Sequence, residues 1–547
     1  MNLESLANEL LLDLFDYFNS IELFRSFSEL NIRFNNLLFQ HYRSHHIDLR
    51  SITKQDFDEI CRKYLPEMTD RVISLHLSDD DETPYQLTSF LSYNLKIPDF
   101  HRLKRLSLIH IRSMNIMNDL LRQLKFLPDL KHLEIIDCNF RLSYFHIIWC
   151  QRQLTHFKLE KLASIDFTVN NISSSIQNLI LHSNLTQFHS LDRLLTSTPH
   201  LRHLSVVLTF NMNFSPFSFI GSSLKSLHLV YSSSFDFLDE LLERFPNLKQ
   251  LKIQTEYIEI NGYRWEKIIR NDLSKLKIFE LMMEFDTPWN LNKENQVDVI
   301  LESFRTSFWL IEHQWFVRCH YYNKSLCLYT LPCTFPKSFQ YLDKPFQSTC
   351  SHSTHLLKIH HIDVLFPSIN PFWMNTVDIS QLRSISIQIS DDLSIQSQLQ
   401  SLFDRATNLY SLRLYSKHFS RQFFLDKITS ESIRRLDLRS IYLYANENIC
   451  QQLCKTSLVN QCEVLLIHVE NRSEILFLIN HMKNLRALYV HSKVSVDQTN
   501  PYYPSIFIDE LIQWLKQQLP TSFAISPDEY FPSCVRIWIS YVQFSNE

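Results

Sequence analysis

The residue types that bind zinc gather in one stretch of this chain: Cys319, His320, Cys327, Cys333, Cys350, His352, His355, His360 and His361. Structural zinc sites present their ligands as short fixed pairs, Cys-x2-4-Cys with His-x3-5-His. Here His352 and His355 alone approach that spacing, and no Cys-x-x-Cys occurs anywhere. Buried thiols and surface histidines account for the cluster, so no metal and no other cofactor is expected. The acidic run Asp79-Asp80-Asp81-Glu82 is a second candidate for cation binding, and it reads as a solvated loop following a strand. Scattered Ser, His, Asp and Cys form no spaced catalytic set.

Glycine narrows the chemistry further. The 547 residues include only Gly221 and Gly262, where average usage gives roughly thirty or more. A P-loop, a dinucleotide-binding Gly-x-Gly-x-x-Gly turn, a kinase glycine loop and a Gly-x-Ser-x-Gly elbow all need glycine for close backbone approach or unusual torsions. None can be built from this sequence, and an enzyme is not expected. The formal net charge of -4 and a pI near 6.7 offer no general grip on nucleic acid or anionic lipid, so neither nucleic acid nor membrane is expected as a partner. An acidic start, no long apolar run and eleven scattered cysteines suit a reduced intracellular protein, cytoplasmic, nuclear or both.

The elements that would position any site are repetitive. From Val72 on, one phrase recurs: apolar, two polar, apolar, one polar, apolar. It begins at residues 103, 130, 154, 176, 201, 224 and 248, steps of 22 to 27 residues, and returns from Leu382 through Leu409, Ile433, Cys462 and Leu485 to an imperfect copy, Cys534-Ile537-Ile539. Between phrases lie amphipathic segments such as Phe237–Phe245, ended by Pro or Asn before the next strand, as in Phe245-Pro246-Asn247-Leu248. One such unit cannot bury its apolar side alone, whereas stacked units share a continuous core.

The Leu-x-x-Leu-x-Leu phrase and its step resemble the leucine-rich-repeat family, whose further Asn or Cys position is matched at Cys138 and Asn184. The resemblance implies an α/β fold, a curved and degenerate solenoid with a parallel sheet lining its concave wall. From Met282 to Leu382 the phrase does not recur. That insertion is expected to hold a helix at Val297–Phe304, a hairpin of Phe308–Tyr321 with Ser325–Leu331 turning near Asn323-Lys324, and loops rich in proline from Pro332 through Pro336, Pro345, Pro367 and Pro371, with a further strand possible at Leu356–Val364.

The first forty residues have too much apolar surface for their size. Leu6, Leu10, Leu14 and Tyr17 share one helical face while Leu11, Phe15 and Phe18 load the next, and so short a helical piece cannot cover both by itself. With Glu9, Leu23-Phe24, Asn31-x-Arg33-Phe34 and Leu37, the pattern resembles the F-box, the module that binds the Skp-family adaptor of cullin-RING ubiquitin ligases. The family usually carries Leu-Pro where this chain has Leu6-Ala7, which implies weaker docking. The whole resembles F-box proteins of the leucine-rich-repeat subclass: a short N-terminal three-helix F-box-like module at 1–45, a helical connector at 46–71, a first solenoid run at 72–282, the insertion at 283–381 and a second run at 382–547.

The resemblance implies adaptor contacts at Leu6, Ala7, Glu9, Leu10, Leu11, Leu14, Phe15, Leu23, Phe24 and Phe34, with the adaptor and cullin as partners. It implies that the chain is the substrate-recognition subunit of an SCF-type ubiquitin ligase; a scaffold outside any ligase, its N-terminal helices capping the solenoid, is the alternative. Alternation along each strand places the residue between the second and third apolar positions on the concave wall. Glu134, Lys158, His228, Lys252, Arg413, Asp437, Tyr489 and Trp538 are therefore the expected contacts to a target protein, their mixed charge favouring a protein surface over a polyanion.

Overall fold

The structure is a computed structural model describing residues 3–161, 175–185, 188–209, 219–232, 235–286, 293–322, 325–333, 335, 339–340, 347–350, 359–366, 377–389, 395–416, 425, 428–440, 444–493, 504–531 and 533–540. These fall into two compact units. One holds the described residues of Met1–Leu162, Ser173–Ile176 and Leu485–Glu547; the other holds those of Gln177–Asn484.

The first unit begins with three short helices, α1 (Asn8–Phe15), α2 (Ser20–Phe27) and α3 (Ile32–Gln40). Asn19 caps α2 through a reciprocal box with Glu22, both bonds at 2.9 Å, and Asn31 caps α3 by accepting from the Phe34 N–H. Leu11, Phe15, Leu23, Phe27, Phe34, Leu37 and Leu38 close a small core between them. A parallel ladder follows, β1 (His46–Asp48), β2 (Ser74–Ser78), β3 (Arg105–Ile109), β4 (His132–Ile136) and β5 (His156–Glu160). The ladder thus starts within the stretch expected to be a purely helical connector. Ile47 and Leu49 supply buried apolar positions there without the leading residue of the phrase, which hid the strand.

In register, Leu75, Leu106, Leu133 and Phe157 form one buried row and Leu77, Leu108, Ile135 and Leu159 the next. Each such side chain contributes about 1.5–3 kcal/mol, which is why the phrase keeps its apolar positions while the residues between drift. Cys138 knits neighbouring repeats: its thiol donates to the Leu108 carbonyl at 3.3 Å and accepts the Ile111 N–H at 3.4 Å.

The C-terminal part of this unit departs from the repeat. The strand Cys534–Trp538, expected as one more parallel rung, runs antiparallel to both Ala487–Ser492 and Ala524–Pro527. The short excursion through residues 528–531 turns the chain back on itself there.

The second unit carries the ladder β6 (Asn178–Leu185), β7 (His203–Thr209), β8 (Ser226–Ser232), β9 (Gln250–Glu256) and β10 (Ile278–Asp286), all parallel. Onto β10 the expected hairpin adds antiparallel strands, β11 (Val317–Tyr322) and β12 (Ser325–Thr330), with β12 next to β10. Phe308–Glu312, expected as part of a strand, is a helical turn whose Phe308 and Trp309 pack into an aromatic cluster with Phe279, Phe304 and Trp315. The helix is at Lys293–Ser303. A second parallel series opens with the short strand Phe339–Gln340 and runs through His361–Phe366, Ser384–Ile389, Ser411–Ser416, Arg435–Ser440 and Val464–Val469. Pro336, Pro345, Pro367, Pro371, Asn323 and Lys324 lie outside the described residues.

Parallel strands alternating with helices, on a leucine-patterned repeat, make both units leucine-rich-repeat-like. No helix among the described residues is long and apolar enough to cross a membrane.

Candidate functional site

The N-terminal module divides its apolar residues between an interior and an open surface. Leu11, Phe15, Leu23 and Phe34 are in its core, and Phe24 is buried against the following segment, stacked on Tyr64 at 5.1 Å. These five were expected at the adaptor interface; four of them close the module core instead, because α2 and α3 pack against the Leu11–Phe15 side of α1, and Phe24 is taken by Tyr64. What remains accessible is Leu10 at 54% exposure, Ala7 and Glu9, with Leu6 and Leu14 half-buried. Ile32, 79% exposed, and Leu30, 54%, extend the open apolar surface at the start of α3.

Arg33 fixes the entrance of α1. Its guanidinium donates to Asn8 Oδ1 at 2.7 Å, to the Glu4 carbonyl at 2.6 Å and to the Leu6 carbonyl at 2.5 Å, while Asn31 donates to Glu4 Oε1 at 2.9 Å. Ala7 sits at φ -63°, the value proline would impose. The arginine therefore anchors the segment that leads into α1.

The connecting helical segment from Lys54 to Met68 joins this module to the rest of the first unit. Ser28 and Tyr64 share a hydrogen bond at 2.6 Å, Lys63 pairs with Glu29 at 2.5 Å, and Phe57 packs on Trp538 at 5.0 Å. Lys54, bonded to Asp58, lies over the Trp538 ring.

Trp538 is thus fully buried and Tyr489 nearly so, and neither faces a target as expected. The antiparallel pairing of their strands takes both into the core, and the Lys54–Met68 segment covers Trp538. Asp437, also buried, is held by Arg439 at 2.7 Å and Arg413 at 3.6 Å, leaving Arg413 as the exposed member.

Of the other expected contacts, Glu134 accepts from Ser107 at 3.1 Å and Lys158 pairs with Glu160 at 3.2 Å, both half-exposed on the face of β3–β5. Beside them His132 and His156 stack at 4.1 Å; burial and the neighbouring His156 push His132 down to about 4. In the second unit His228 bonds Ser205 at 2.9 Å, and Lys252 pairs with Glu280 at 3.3 Å.

Phe335, itself buried, covers these two, its ring 4.5 Å from the Lys252 ammonium and 6.5 Å from the His228 ring. This part of the face is occupied by the chain itself. No periodicity announced it, since Phe335 follows the hairpin in a stretch without the phrase.

The acidic run is not the solvated loop expected. Asp79 is buried, its carboxylate accepting the Leu87 N–H at 2.7 Å, and burial pushes it up to about 6. Arg536 donates to the Asp79 and Asp80 carbonyls, Arg486 pairs with Glu82 at 2.9 Å, and Arg112 bridges Asp81 and Asp528 while lying over Tyr530. Three arginines, two of them from the C-terminal part of the unit, thus hold the run through the Asp79 and Asp80 carbonyls and the Asp81 and Glu82 carboxylates, while the Asp80 carboxylate accepts from the Glu82 and Thr83 N–H groups.

Among the described residues no group of three His, Cys, Asp or Glu converges to hold a metal ion. All eleven cysteines are free thiols, and burial pushes Cys319 up to about 12 and Cys333 to about 11. His352 and His355 lie outside the described residues.

No protein-family model matches the sequence, and no curated protein matches it. Among solved structures, the chain is similar to one from a TLR13–ssRNA13 complex, at 12% identity, covering 76% of this chain and 60% of that one, with a TM-score of 0.23. The matched part is less than two thirds of that neighbour's length. At that score the similarity carries no argument, and the repeat architecture rests on the two ladders themselves.

Proposed function

We propose that the chain is the substrate-recognition subunit of an SCF-type ubiquitin ligase: α1–α3 dock a Skp-family adaptor, which joins the chain to a cullin, and the repeat ladders hold a target protein. The observation that carries this reading is the division of the module. Its core is complete with Leu11, Phe15, Leu23, Phe27, Phe34, Leu37 and Leu38, yet Leu10, Leu30 and Ile32 stay open on the same small body. Exposed leucine and isoleucine on a folded three-helix piece suit an apolar partner surface. They fall within the segment whose residue pattern resembles the F-box.

The mechanism is one of placement. Holding a target beside a charged ubiquitin carrier turns a bimolecular encounter into an intramolecular one, raising effective concentration without any reacting group on this chain. The reading assigns the chain no catalysis and places it inside the cell.

The test is calorimetry of the purified full chain with a Skp-family adaptor, beside a Leu10→Asp variant. Leu10 is outside the module core, so the variant keeps its fold, whereas substituting Leu11 would disrupt it. Losing one buried leucine contact and placing a charge there is expected to weaken binding by about 1.5–3 kcal/mol or more. A folded wild-type chain that does not bind, or a variant that binds equally well, would sink the proposal.

A further inference from the structure

In the second unit, one row of cations has no ion-pair partner among the described residues. The residue after the leading apolar position of the phrase is Arg202, Lys225, Lys249 and Lys277 in four consecutive repeats, each directly ahead of its strand, β7 to β10. The backbone sets them in line. The N–H of Lys225 donates to the Arg202 carbonyl, that of Lys249 to Lys225 and that of Lys277 to Lys249, all at 2.8 Å. The next residue in each repeat, Ser226, Gln250 and Ile278, shares the same carbonyl at 3.0–3.1 Å. The four positions therefore stack at the inter-strand spacing, about 4.8 Å per step.

All four side chains are exposed, and among the described residues none of them forms an ion pair. The chain pairs its cations elsewhere on the same unit: Lys252 with Glu280, and Arg434, at the equivalent position of a later repeat, with Glu463 at 3.6 Å. The adjoining column offers no carboxylate, since it reads His203, Ser226, Gln250 and Ile278. Four like charges so close together repel one another, and a partner bearing several negative charges relieves all of them at once.

We propose that Arg202, Lys225, Lys249 and Lys277 form a docking track for an acidic, extended polypeptide segment. Charge complementarity defines the occupant, and the track's three steps, about 14 Å, match roughly four residues of extended chain. A nucleic acid fits less well: the adjoining column of His203, Ser226, Gln250 and Ile278 holds no Phe, Tyr or Trp for bases to stack on, and the whole chain carries a net charge of -4. Only the assignment of that segment to a ubiquitination target rests on the receptor reading above. A purely structural use of the row, cations set near helix C-termini, predicts lost stability on neutralisation and no effect on binding.

The experiment is fluorescence anisotropy of a labelled poly-glutamate peptide with the full chain, without adaptor, at low and moderate salt. Two variants accompany it: Lys225→Gln/Lys249→Gln/Lys277→Gln, and a control, Lys267→Gln/Lys455→Gln/Lys483→Gln, that removes the same charge from exposed sites of the same unit. The wild type is expected to bind, more weakly as salt rises. The track variant is expected to lose roughly tenfold in affinity, three exposed ion pairs' worth, with an unchanged melting temperature, and the control to stay within about twofold.

Equal losses in both variants, no loss in the track variant, no binding by the wild type, or a loss that tracks unfolding would each overturn the proposal. Tighter, track-dependent binding of poly-uridylate would overturn the choice of occupant. Adaptor binding is measured separately, so failure of one reading leaves the other standing.

Discussion

Protonation of His320 should make the hairpin of the second unit sensitive to acid. His320 is buried on β11 between Arg318, two residues away on the same face, and Tyr329, whose ring lies 5.6 Å off. Burial, reinforced by the Arg318 charge, pushes it down to about 3. In the unfolded chain the imidazole takes up its proton as pH falls through its ordinary value near 6.5, whereas the folded chain does so only near 3. The unfolded state thus binds more protons between those values, and stability falls as pH drops from about 6.5 toward 3. At pH 5 the accumulated loss from this residue is about 2 kcal/mol.

His320→Phe removes the titration and leaves a ring in the same space. Amide exchange of the β11 and β12 backbone, corrected for intrinsic rates and followed from pH 7.5 to 5, should show protection falling more steeply in the wild type by that amount. His228, which burial pushes down to about 4, has the same sign but contributes equally to both proteins. Parallel pH profiles for the two would refute the account of a histidine held neutral by burial.

Three further outcomes follow from the packing. Gly262→Ala would put a methyl 2.3 Å from the Ser303 carbonyl oxygen; overpacking of this kind costs about 1–3 kcal/mol, and a chemical melt no less stable than wild type would contradict it. Ala7→Pro suits φ -63°, and the Ala7 N–H is not a hydrogen-bond donor among the described residues, so it should stabilise the module by about 0.4–1 kcal/mol and tighten adaptor binding in calorimetry; destabilisation would count against both. Arg112→Leu strands Asp528, fully buried, with the Tyr530 and Phe531 N–H groups as the remaining donors to its side chain among the described residues. That should cost about 3–5 kcal/mol in a urea titration, and a neutral effect would mean the arginine clasp is not holding.

The repeat was legible because it needs only local information. Leucine alternation fixes which side of a strand is buried, and a step of 22 to 27 residues repeats that decision from Leu103 onward. Which module leucines face outward was not legible. Leu10 and Leu11 are neighbours on a helix apolar around most of its girth, and only the arrival of α2 and α3 decides that Leu11 goes inside. Tyr489 and Trp538 failed for a related reason. Aromatics that make binding hot spots also make cores, and their burial depends on an antiparallel pairing that breaks the repeat. The acidic run looked solvated because its partners are distant; Arg536 lies 457 residues from Asp79. The cation row was not legible because its position, one residue after the leading leucine, lies just ahead of each strand, where alternation carries no information.

The clasp also bears on how a receptor of the proposed kind would work. Effective concentration falls as the tether between two binding surfaces lengthens and loosens, so an adaptor-binding module on a mobile linker would waste what placement gains. In the first unit Phe24 stacks on Tyr64 and Lys63 pairs with Glu29, which seats the module on the Lys54–Met68 segment. Phe57 and Lys54 then pack that segment on Trp538, while Arg112, Arg486 and Arg536 tie the C-terminal strands to residues 79–82 and 112. Module, first repeats and C-terminal strands are thereby parts of one compact body. A target held on the β1–β5 face would keep a fixed distance from the adaptor, and loosening the clasp at Arg112 should lower ubiquitin transfer to such a target without weakening adaptor binding. That separation is what distinguishes a positioning role for the C-terminal strands from a merely stabilising one.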